Sequence, residues 1–109
     1  MSLVRPLVRP PVVFERAELD LILGLYGRMV AAGLWRDYAI DLGPEAATFA
    51  AFRRAAERPD VRLVKSPRLR RRQGQYALLS ESGFALKRGD DLAAVLAPVT
   101  RRLVKLVEA

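Results

Sequence analysis

The chain has 109 residues and a formal net charge of +7, from 19 basic and 12 acidic side chains, with no cysteine and no histidine. That length fits one domain and not two, and the missing residue types exclude disulfides, thiolate metal sites, a cysteine nucleophile and the commonest general base and zinc ligand. No apolar run approaches the roughly 20 residues that span a bilayer, so the expectation is a cytoplasmic, non-enzymatic protein with no cofactor and no metal.

Residues 1–11 contain Leu-Val-Arg-Pro twice, at 3–6 and 7–10. Two copies do not make a repeat architecture. The proline spacing predicts an extended, polyproline-like arm leading into a single domain over 12–109, and the N-terminus lacks the continuous apolar stretch of a signal peptide. Val12-Val13-Phe14 has the composition of a short strand.

From Arg16 to Ala32, Leu19, Ile22, Leu23, Tyr26, Met29 and Val30 follow helical spacing. Gly33 is placed to cap that helix. Gly24 and Gly27 inside it predict close approach of another backbone. Trp35 is expected to anchor the following corner. Asp37 to Leu42 alternates, with Tyr38, Ile40 and Leu42 on one face, and stops at Gly43-Pro44. Residues 45–57 are ambiguous: the alanines favour helix, while the neighbouring strands favour a strand.

The basic character is concentrated next. Between Arg53 and Arg72 stand nine basic residues, Arg53, Arg54, Arg58, Arg62, Lys65, Arg68, Arg70, Arg71 and Arg72, against two acids, Glu57 and Asp60. The segment therefore carries +7 and the rest of the chain, ten of each sign, is neutral. Val61 to Lys65 is predicted as a strand and Ser66 to Gly74 as an arginine-bearing loop. Gln75–Ser80 and Phe84–Arg88 flank Ser80-Glu81-Ser82-Gly83, a hairpin signal. Asp90 is expected to cap a last helix with Leu92, Val95, Leu96, Val99, Leu103 and Leu106 as its buried stripe. Pro98 inside it predicts a kink or a break. The order gives an α+β fold: an antiparallel β meander packed by an N-terminal and a C-terminal helix.

The block Leu25–Gly33 running into Trp35-Arg36-Asp37-Tyr38-Ala39-Ile40-Asp41 resembles an uncharacterised, mainly alphaproteobacterial domain-of-unknown-function family (DUF 2794 type). Phe52-Arg53-Arg54, Arg72-Gln73-Gly74-Gln75-Tyr76 and Leu86-Lys87-Arg88-Gly89 carry the same resemblance. It implies a family and no activity, and it favours a strand over residues 46–54.

No catalytic arrangement emerges. Asp37 and Asp41, four apart on a strand, lie about 13 Å apart, beyond the roughly 5–9.5 Å of paired glycosidase carboxylates, and ion pairing to Arg36 or Arg53 is their expected role. Nucleic acid is the favoured partner, its phosphates held non-specifically by Arg53, Arg54, Arg62, Lys65, Arg68, Arg70, Arg71 and Arg72, with Tyr76 available for stacking. The alternative is an interaction or structural module, with the arginines meeting an acidic protein or the proline-rich arm docking on a neighbour.

Overall fold

The computed structural model describes residues 10–54 and 56–108. Most of the expected arm thus lies outside the described residues. The described chain forms α1 (Arg16–Ala31), β1 (Asp37–Leu42), β2 (Ala47–Phe52), β3 (Val61–Lys65), a 3-10 turn (Pro67–Leu69), β4 (Tyr76–Ser80), β5 (Ala85–Gly89) and α2 (Leu92–Glu108). The five strands pair antiparallel in chain order. It is the α+β meander with a helix at each end that the sequence predicts.

Both helices cover one face. Ala47, Phe49 and Ala51 of β2, Val61 and Leu63 of β3, and Tyr76 and Leu78 of β4 are buried there with Ile22, Leu25 and Met29 of α1 and Leu92, Val95, Leu96 and Val99 of α2. The other face carries two cross-strand rows of mostly small and polar side chains. One is Ala39, Ala50, Arg62, Leu79 and Ala85; the other is Asp41, Thr48, Val64, Ala77 and Arg88. Among the described residues no helix covers this face.

Residues 47–52 form a strand despite their alanines. A strand between two others gains a full ladder, and small side chains at Ala47 and Ala51, both 0% exposed, admit the helix above. Val12 to Phe14 does not pair as a strand. Phe14 is buried and the Val12 N–H donates to the Gly43 carbonyl at 2.8 Å.

The buried face of α1 is rotated from the one expected. Glu18, Ile22, Leu25 and Met29 point inward, while Leu23 and Val30 are exposed. An internal partner for Glu18 draws this face in. The helix ends as predicted: the Gly33 N–H donates to Val30 O and the Leu34 N–H to Met29 O, with Gly33 at φ +79°. This paired arrangement satisfies the last carbonyls and requires a left-handed residue.

Three further expectations are corrected. Gly24 and Gly27 receive no backbone: a methyl at Gly27 meets nothing within 4 Å, and one at Gly24 meets only Arg28 Nη1 at 3.9 Å. Asp91, and not Asp90, caps α2, its Oδ1 accepting the Ala93 N–H at 3.1 Å. The helix also runs unbroken through Pro98, because buried Val95, Leu96 and Val99 hold it in place across one missing backbone bond.

The glycine that needs its conformation is Gly74. It has φ +93°, and a Cβ there would fall 2.5 Å from the Gly89 Cα. Gly74→Ala is therefore expected to destabilise the fold by at least about 1–3 kcal/mol, whereas Gly27→Ala, exposed in a helix interior, stabilises it by up to ~1 kcal/mol. Denaturant unfolding of the two variants beside the parent checks the opposite signs.

Candidate anion-binding surface

The basic segment is contiguous in sequence but not in space. β3 runs through its middle and spans about 13 Å, so Arg53, Arg54 and Arg58 lie at one end of the sheet and Arg68–Arg72 at the other. Arg62 stands between them on the uncovered face.

Two predicted contact residues are unavailable to a partner. Lys65 points to the helix side, where its Nζ donates to Glu18 Oε1 at 2.7 Å and to the Val13 carbonyl at 2.9 Å. The Tyr76 hydroxyl donates to Glu18 Oε2. Lys65 and Tyr76 are only 8% and 6% exposed, because strand alternation turns both inward with Leu63 and Leu78. Burial by itself raises the Glu18 carboxyl, but hydrogen bonds from Lys65, Tyr76 and the Glu15 N–H outweigh it and hold the group below its ordinary value. Burial and the neighbouring carboxylate push the Tyr76 phenol well above its usual range.

At the Asp60 end, the arginines are partly committed to structure. Asp60 is 6% exposed and accepts from Trp35 Nε1 at 2.8 Å, Arg53 Nη2 at 2.7 Å and Arg102 Nη1 at 3.0 Å. Arg53 also reaches Glu81 at 3.3 Å. Arg58, Ser80 and Ser82 join this group around an open cleft of about 400 Å³. Arg54 lies apart, beside Arg36 and Trp35. The carboxylates of Asp37 and Asp41, expected to bind Arg36 or Arg53, make no ion pair with a described residue.

The opposite end holds four exposed arginines. Arg68, Arg70, Arg71 and Arg72 are exposed, and no described carboxylate pairs with them. Their loop is nonetheless closed by its backbone. The Leu69 carbonyl accepts N–H groups from Arg72, Gln73 and Gly74, and Ser66 N–H bonds Gln75 O. Asp90 fastens it from outside, with Oδ1 on the Gln75 N–H at 2.7 Å and Oδ2 on the Arg71 N–H at 3.3 Å. Arg71, at φ +66°, is the one non-glycine described residue in the left-handed region. Arg88 lies on the uncovered face and extends the positive surface from this loop towards Arg62. Sequence reading missed Arg88 because it stands outside the basic run; only strand pairing brings it alongside.

Among the described residues no cluster of carboxylates is placed to hold a metal ion, and no helix is long and apolar enough to cross a membrane. The chemistry on offer is phosphate or carboxylate recognition by arginine forks.

The buried Glu18 sets a pH dependence. As pH falls, the unfolded chain takes up this proton first, so the contribution of the Glu18 bonds is complete above the ordinary 4.5 and is lost as pH drops through the lower folded value. Glu18→Gln is expected to unfold more easily at neutral pH and to lose less stability in acid than the parent. Lys65→Met, which strands the Glu18 carboxylate, costs about 3–5 kcal/mol. Urea titrations along an acid series measure both.

No curated protein and no solved structure matches the chain. Residues 12–96, which contain the whole sheet, α1 and the arginine loop, match the family model described as "Protein of unknown function (DUF2794)", and the chain belongs to that family.

Proposed function

We propose that this protein is a non-catalytic, cytoplasmic binding domain that holds nucleic-acid phosphates without sequence preference, through Arg68, Arg70, Arg71, Arg72, Arg88 and Arg62. One observation supports the reading: a backbone-locked loop concentrates four exposed guanidiniums with no ion pair to a described carboxylate. A preformed loop costs little to order on binding, and the uncovered face beside it gives a strand of nucleic acid a path along the sheet. Arg53 and Arg54, at the far end, extend the surface and do not form its centre. The described loop residues 66–75 include no aromatic side chain, which favours backbone contact over base reading.

Binding of single- and double-stranded DNA and RNA across a salt series tests this. If about 4–6 phosphates of a single strand are neutralised, log K falls against log salt with a slope of about −3 to −4. Reversing Arg68, Arg70, Arg71 and Arg72 to Glu is expected to abolish binding, while Lys65→Met changes stability and leaves the salt slope unchanged. Absence of binding at low salt, or binding indifferent to the reversal, overturns the reading. Polyglutamate bound in place of nucleic acid moves the assignment to an acidic protein partner.

A further inference from the structure

The cleft at the Asp60 end of the sheet stands apart from the arginine loop and is built differently. Its floor is the buried Asp60 carboxylate, which accepts one N–H from Arg53 at 2.7 Å and one from Arg102 at 3.0 Å. A guanidinium carries five N–H groups in a fixed plane. Anchored inward by Asp60, the two side chains remain 54% and 38% exposed and line the cleft together. Arg53 follows β2 and Arg102 stands on α2. One buried carboxylate thus brings cations from two elements together and fixes them before any ligand arrives. Arginine forks held in this way are suited to carboxylate and phosphate oxygens, and their ordering cost is already met.

Three further features narrow the ligand. The first is an apolar wall at Leu86. Lys87 opposes Leu78 and Ala85 opposes Leu79, with Leu86 inserted between them as the extra residue of a β-bulge. Bulges re-aim side chains that a regular ladder would send elsewhere, and Leu86 is left exposed at the cleft. The second is charge. Arg53, Arg58 and Arg102 line the cleft against Asp60 and Glu81, a sum of +1. The third is Glu81 itself, whose Oε1 rests on Arg53 Nη1 at 3.3 Å with both side chains about half exposed. That distance is beyond the usual range of an N–H···O bond, and an exposed pair of this kind contributes little. The protein's own carboxylate marks the chemistry that the fork accepts, and it is held loosely enough to give way.

We propose that this cleft binds a small organic carboxylate with a short apolar body. The carboxylate lies on Arg53, Arg58 and Arg102, and the carbon chain packs against Leu86. A volume of about 400 Å³ falls within the range of small-molecule sites. One negative charge matches the +1 of the walls, whereas a phosphate dianion exceeds it and has nothing to place on Leu86. Binding moves Glu81 into water and leaves Asp60 holding the fork. The site is independent of the nucleic-acid reading, because Arg68–Arg72 lie beyond the other end of β3.

Amide NMR spectra of the labelled chain, recorded while ligand is added in about 0.15 M salt, test the proposal; charges more than about 8 Å apart are screened there. Isovalerate is expected to shift the Asp60, Ser82 and Leu86 amides saturably, with a dissociation constant on the order of 1 mM for so few atoms. Acetate binds about 10-fold more weakly, since a fully buried methylene is worth roughly 4-fold and the chain is partly buried. Leu86→Ser brings isovalerate down to the acetate level and leaves acetate unchanged. Glu81→Gln removes the internal competitor and tightens both ligands about 3-fold, while Arg58→Gln weakens both about 3-fold. The same spectra show that each variant is folded. Reversing Arg68, Arg70, Arg71 and Arg72 to Glu leaves the titration unchanged, so this proposal and the nucleic-acid reading fail separately. An absent or unsaturable shift overturns the proposal. So does a shift that neither Glu81→Gln nor Arg58→Gln alters, or inorganic phosphate binding more tightly than isovalerate.

Discussion

The arrangement turns on one buried carboxylate. Glu18 receives Lys65 from β3 and Tyr76 from β4, and its other bond closes the first turn of α1 through the Glu15 N–H. Lys65 in turn holds the Val13 carbonyl. Helix rotation, the facing of two strands and the course of the entry segment thus share a single constraint. A one-residue slip of β3 would turn Lys65 to water and strand Glu18 in the core, on top of exposing Val61 and Leu63. Such a group adds little net stability over an apolar replacement, but removing either charge is costly. It penalises competing packings more than it deepens the native one.

The same constraint explains what was readable in the sequence and what was not. Alternation at Asp37–Leu42, the hairpin around Ser80–Gly83 and the Gly33 cap are local signals, and each survives in the fold because its physics is local. The stripe of α1 is not local. Leu23 and Val30 are as apolar as Leu25 and Met29, and only the partners waiting for Glu18 decide which are buried. At Ala47–Ala51 the intrinsic preference pointed to helix and the ladders on either side prevailed. The family resemblance leaned the right way there, for a reason that composition does not hold.

The candidate site was half readable. Counting charge located the region, and the loop arginines are exposed and pair with no described carboxylate. The count said nothing about facing, so Lys65 and Tyr76 looked like contact residues although strand alternation sends them inside. Nor did it separate Arg53, held by Asp60 and Glu81, from Arg68–Arg72 beyond the far end of β3. Arg88 and the clamp at Asp90 depend on pairings across the β4–β5 hairpin. Within the basic run Arg53 and Lys65 are built into the protein by ion pairs, and the other arginines of the run are exposed.

The lone tryptophan gains a practical meaning from this division. Trp35 is 4% exposed, and its indole N–H rests on the Asp60 carboxylate that also holds Arg53 and Arg102. Its indole is shielded from water and rests against a carboxylate shared with two guanidiniums, so its ultraviolet emission is expected to respond to changes in that cluster. The chain carries a built-in optical reporter for the Asp60 end of the sheet. The arginine loop, at the other end of the strands, is spectroscopically dark to it.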